Sequence, residues 1–178
     1  VAQRPATPVQ SLGSAVNWDW NVPDGDAFNL SSKPGAAKTI YLDFDGWAGS
    51  TSNAWVKYFD APTLVSGFNR EGGASFSSNE LREIKWIWAQ VAEDFSPFDV
   101  NVTTKTPSNF RQTMERANAA DKVFGSHVVV SSQAGLSEDL CSGACAGIAI
   151  IGSFTHYAGA KMGSFVDTTA GYDYQPAW

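Results

Sequence analysis

Histidine is scarce in this sequence: only His127 and His156 occur, and no His-Glu-x-x-His run is present. Catalytic zinc usually takes three protein ligands, often two from one helical turn, so these residues do not themselves spell such a site. Cysteine is equally sparse, limited to Cys141 and Cys145, with no other metal-spaced ligands around the pair. Charge is low as well: 17% of residues are charged and the net charge is −6, which leaves no Lys/Arg field to neutralise phosphates and excludes nucleic acid as an expected partner. No apolar run approaches the roughly 18 to 20 residues of a membrane-spanning helix, so no membrane partner is expected. No charged segment followed by an apolar leader opens the chain at Val1, which fits a mature product or fragment. Low charge, few cysteines and many Trp, Gly, Ser and Thr lead us to expect a secreted, extracellular protein.

Hydrophobic residues are what the chain does have, at 43% with 13% aromatic, enough for one packed domain in 178 residues. Residues 1–37 carry Pro5, Pro8, Pro23 and Pro34 without periodicity and read as an irregular arm, with Trp18, Trp20 and Phe28 pinning it to the body. Lys38 to Asp45 alternates Ile40, Leu42 and Phe44 with Tyr41, Asp43 and Asp45, the period of a strand, and Gly46 closes it. Residues 47–76 read as a long structured connection. Ser77 with Glu80 forms a capping box, and Leu81, Ile84, Ile87, Trp88, Val91, Ala92 and Phe95 recur at helical spacing. Pro97 ends that helix, and Phe98, Val100 and Val102 alternate with polar residues in a second strand. Strand, helix and strand in this order predict a right-handed crossover between parallel strands. A shorter helix is expected over 109–120, a strand covered on both faces over 123–130, a fourth strand over 147–154 and a short fifth over 163–166.

Two motifs carry possible chemistry. Asp43 and Asp45 at a strand end place two carboxylates about 7 Å apart, able to hold a hard cation such as calcium or to divide nucleophile and acid roles. Such a pair also opens the haloacid dehalogenase-type phosphatases, but the acidic pair those enzymes need farther along the chain does not appear. Gly143-Ala144-Cys145-Ala146-Gly147 has the spacing of a nucleophile elbow, yet a strand rather than a helix follows it. A Cys141–Cys145 disulfide is the favoured reading, with free thiols and a zinc or nucleophile role as the alternatives. His127 reads as a hydrogen-bonded core residue and His156 as a loop residue.

The run Ile84-Lys85-Trp86-Ile87-Trp88-Ala89-Gln90-Val91-Ala92-Glu93-Asp94-Phe95-Ser96-Pro97-Phe98-Asp99-Val100-Asn101-Val102-Thr103-Thr104 resembles the first long helix and second strand of secreted bacterial zinc metallopeptidases of the metzincin-like (zincin) type. Phe28 to Ala36 leading into Thr39 to Gly46 joins the resemblance, and Ala146 to Phe154 is similar to the family's edge strand. The resemblance implies an α/β (α+β) fold: a zincin-like mixed, mostly parallel twisted sheet with a long covering helix, incomplete at the C-terminus, with residues 38–178 as the N-terminal upper subdomain. It implies an endopeptidase whose zinc-binding helix comes shortly after a segment like Tyr174 to Trp178, so zinc belongs to the complete domain and residues 1–178 are expected to be inactive alone. For this half it implies scaffold and substrate binding: Gly147, Ile148, Ala149, Ile150 and Ile151 would offer edge-strand backbone to a peptide or protein substrate. Part of the sheet is then expected to lack cover unless the chain's own continuation or a complementary chain supplies it. A non-catalytic secreted binding module is the alternative, and an Asp-nucleophile phosphatase a further one.

Overall fold

The computed structural model describes residues 26–49, 56, 60–143, 145, 147–149 and 153–155, and the backbone of 175–177. Its centre is a four-stranded sheet in which β1 (Lys38–Asp43) pairs in parallel with β4 (Val100–Thr103) on one side and β5 (Phe124–Val130) on the other. β6 (Gln175–Ala177) lies parallel to β5 at the far edge, giving the order β4-β1-β5-β6. The molecule is therefore mixed α/β with a small parallel sheet.

Register decides which side chains share a face. Ile40 lies opposite Val102, and Leu42 opposite Val128, so these point to one side. Helix α1 (Ser78–Asp94) covers that side with Ile84 and Trp88, which join Ile40, Leu42, Val102, Val128 and Val130 in one core. The Trp88 indole N–H also donates to the Val102 carbonyl at 3.0 Å, tying helix to strand. The capping box forms as expected: the Ser77 hydroxyl accepts the Glu80 N–H, and the Glu80 carboxylate accepts the Ser77 N–H. That carboxylate goes further, accepting the N–H groups of Arg70 and Glu71 at 2.6 and 3.0 Å, so the loop before the helix is folded onto its first turn.

Tyr41, Asp43, His127 and Val129 point to the opposite side. Helix α2 (Phe110–Met114) covers one end of it, with Met114 buried and Phe110 against Tyr41 and His127. Helix α3 (Leu136–Cys141) and a hairpin cover the other end, where Leu136, Trp47 and Val65 pack on Val129. The hairpin joins β2 (Gly46–Ala48) and β3 (Leu64–Ser66) antiparallel. All seven residues of β5 are buried as a result. Strands β1 and β5 are covered on both faces, because α2, α3 and the hairpin occupy the side away from α1.

Other expectations shift in detail. The first strand stops at Asp43, because its carboxylate accepts the Asp45 N–H at 3.0 Å and turns the chain. The helix expected over 109–120 covers only Phe110–Met114. Beyond it the Asp121 carboxylate accepts the N–H groups of Ala117 and Val123, and the Arg116 guanidinium donates to the carbonyls of Ala119 and Asp121, so a turn built on these two side chains replaces further helix. The connection over 47–76 contains β3 and the second half of the hairpin. The strand expected over 147–154 is not formed in its described part: Gly147 makes a single bridge, Ile148 and Ala149 lie outside any strand, and Ser153–Thr155 form a 3-10 turn. Ile150, Ile151, the segment 163–166 and residues 1–25, with Trp18 and Trp20, lie outside the described residues.

The described end of the arm has a defined job. Ser31 bridges to Thr103, the Ser32 N–H donates to the Val102 carbonyl, and the Thr104 N–H donates to the Leu30 carbonyl. This lines the free edge of β4 with paired backbone, while Phe28 packs its ring 4.9 Å from Phe76 as the expected pin.

Candidate functional site

Open parallel sheets bind ligands beyond the carboxyl ends of their strands, which directs attention to the end of β1. Asp43 is there, but it faces inward. Its Oδ2 lies 2.7 Å from His127 Nε2 and its Oδ1 accepts the Asp45 N–H, so both oxygens are engaged, and Asp43 and His127 are 7% and 4% exposed. The imidazole is clasped between rings: Tyr41 stacks on it at 5.0 Å and 22°, and Phe110 meets it edge-on at 5.1 Å. The Tyr41 hydroxyl pairs with Thr106 at 2.9 Å. Burial, together with the charges of Asp43 and Asp45 and against the pull of that hydrogen bond, raises its pKa to about 12. Tyr41 thus stays a neutral phenol over the physiological range.

Asp45 sits exposed at the rim. Desolvation on its protein side, then the nearby charges of Asp43 and Asp26, hold its carboxyl above the ordinary value. The two acids proposed as a cation pair are therefore split between interior and surface. A phosphatase nucleophile needs an accessible carboxylate oxygen in line with phosphorus, and the engaged, buried Asp43 does not offer one. The hairpin packs on Val129 of β5 through Trp47 and Val65, and within it Gly46 approaches β3 so closely, at φ +96°, that a Cβ there would stand 2.5 Å from the Val65 carbonyl oxygen. The Ser131 hydroxyl donates to the Ser66 carbonyl at 2.6 Å, and Gln133 Oε1 accepts the Ser66 N–H at 2.8 Å, fastening β3 to the loop after β5.

Metal chemistry finds no donor set in this part. Among the described residues no group of three or more His, Cys, Asp or Glu side chains could hold an ion. His127 has no second and third donor beside it to complete a zinc site among the described residues, and His156 lies outside them. None of the described side chains is therefore assigned a catalytic step through a metal.

The second region is the disulfide loop. Cys141, the last residue of α3, is bonded to Cys145, the pairing favoured from spacing. The chain turns between them through Ser142 and Gly143, both at positive φ, with the Gly143 N–H donating to the Ser137 carbonyl at 2.9 Å. Ser137 Oγ also donates to the Cys145 carbonyl at 2.9 Å. Two residues farther along begins the segment named as substrate-binding. Gly147 and Ala149 are exposed and Ile148 is half-buried. The sequence did not single out Ser137; its only signal is the four-residue spacing to Cys141, one helical turn.

Compared with family models, curated proteins and solved structures, the chain finds no match. No helix among the described residues is long and apolar enough to cross a membrane.

Proposed function

We propose that this chain is the scaffold and substrate-positioning part of a secreted zinc-dependent endopeptidase, in which Gly147, Ile148, Ala149, Ile150 and Ile151 receive an extended peptide as an added strand. The observation that carries the reading is the α1–β4 unit. Within the run from Ile84 to Thr104, where the metzincin-like resemblance is strongest, the helical part packs on the sheet and Val100–Thr103 pairs in parallel with β1, which supports the reading. Exposure of Gly147 and Ala149 supports the strand-addition mode, because a peptide pairs only along a segment it can reach. The chemistry of bond cleavage belongs to a zinc-bearing helix that none of these residues supplies; when bound, zinc polarises the scissile carbonyl and activates water. These residues would instead orient the peptide and hold it extended.

A second reading is favoured by one observation, the covered faces of β1 and β5. A sheet so enclosed suits a non-catalytic secreted binding module that captures an extended peptide at the same segment. Assay of the full-length gene product with a quenched fluorescent peptide separates the two. The peptidase reading expects cleavage that a chelator stops and added zinc restores, and peptide binding without cleavage would replace it with the module.

A further inference from the structure

We infer that the Cys141–Cys145 bridge and Ser137 are positioning residues for the peptide-binding segment: α3 acts as a bracket that sets where Gly147 leaves the body. The inference rests on the peptidase reading and goes beyond it, because it assigns a role to three residues that touch no peptide. Leu136 anchors the bracket, being 1% exposed and packed with Val129, Trp47 and Val65. From that fixed turn two independent attachments reach Cys145. One is covalent, from Cys141. The other is the Ser137 hydroxyl to the Cys145 carbonyl at 2.9 Å. The intervening turn is closed by the Ser142 N–H to Glu138 and the Gly143 N–H to Ser137. A residue held at both side chain and carbonyl has little freedom in position, and Gly147 lies only two residues on. An added strand gains affinity from several backbone hydrogen bonds made in one register, so a loosely held acceptor loses ordering entropy at binding while a bracketed one has that order already.

Such a bracket acts on substrate binding rather than on bond cleavage, and more on long peptides than on short ones. The experiment compares full-length wild-type protein with Ser137→Ala and with the Cys141→Ser/Cys145→Ser double variant, using a hexapeptide and, as the short substrate, a dipeptide blocked as an N-acyl dipeptide amide. The inference expects KM for the hexapeptide to rise at least threefold in the double variant and at least twofold in Ser137→Ala. It also expects kcat to stay within twofold, bound zinc to be unchanged, and KM for the dipeptide to stay within twofold. An unchanged hexapeptide KM overturns it, as does an equal rise for both substrates or a loss of kcat alone. If the double variant does not fold, Ser137→Ala alone decides by the same criteria. Absence of any cleavage by the wild-type protein overturns the peptidase reading itself, and this inference with it.

Discussion

His127 Nε2 and Asp43 Oδ2 stand 2.7 Å apart across the β1–β5 pair, joined by register although 84 residues separate them in the chain. The pair is a buried polar joint on the sheet face that Thr39 and Thr103 share, closed over by Tyr41 and Phe110. Removing one member leaves the other buried without that partner. Asp43→Ala is expected to lower unfolding free energy by roughly 1–3 kcal/mol, the cost of leaving a buried polar group unsatisfied. Urea denaturation checks it, and a loss under about 1 kcal/mol would show that the joint contributes little.

Glu80 supplies a pH-dependent part of the stability. Burial pushes its carboxyl up, but the N–H groups of Ser77, Glu71 and Arg70 and the Ser77 hydroxyl together hold it below its ordinary value of 4.5. A depressed folded-state pKa gives stability that is fully present above the unfolded value and lost as pH falls through the folded one. Glu80→Gln turns an amide toward backbone donors and is expected to cost about 1–3 kcal/mol at pH 7. The difference from wild type should shrink as pH falls below 4.5. Urea midpoints of both proteins between pH 7 and pH 3 test this, and a pH-independent difference would contradict it.

The β2–β3 hairpin depends on one backbone position. Gly46→Ala places a methyl against the Val65 carbonyl at a positive φ, and is expected to destabilise by more than about 1 kcal/mol. Thermal melting measures it, and an unchanged midpoint would mean that β2 and β3 can separate without cost to the rest.

What was legible in the sequence is what local chemistry dictates. Ser77 and Glu80 announce the start of α1, Pro97 its end, the alternation around Ile40 and Val102 gives two strands, and the continuous apolar run around Val128 gives a third covered on both faces. The Cys141–Cys145 disulfide was the favoured reading of the spacing, ahead of free thiols, and the two residues are bonded. Long-range choices were hidden. Nothing near Asp43 reveals that its partner is His127, because register across β1 and β5 creates that contact. The truncation of α2 turns on Arg116 and Asp121 capturing backbone groups, a competition that apolar periodicity does not record. The short β2, β3 and α3 carry too few residues for a period to show, and Trp47, Val65 and Leu136 gain their meaning only once they meet on Val129.

If the segment from Gly147 holds a peptide as an added strand, as we propose, Ala149→Pro should weaken that pairing. Proline removes one backbone N–H at an exposed position and leaves the buried core untouched. With the full-length gene product and a hexapeptide substrate, KM is expected to rise about threefold to tenfold, the equivalent of one lost hydrogen bond, while zinc content stays constant. A KM equal to that of wild type would contradict the account.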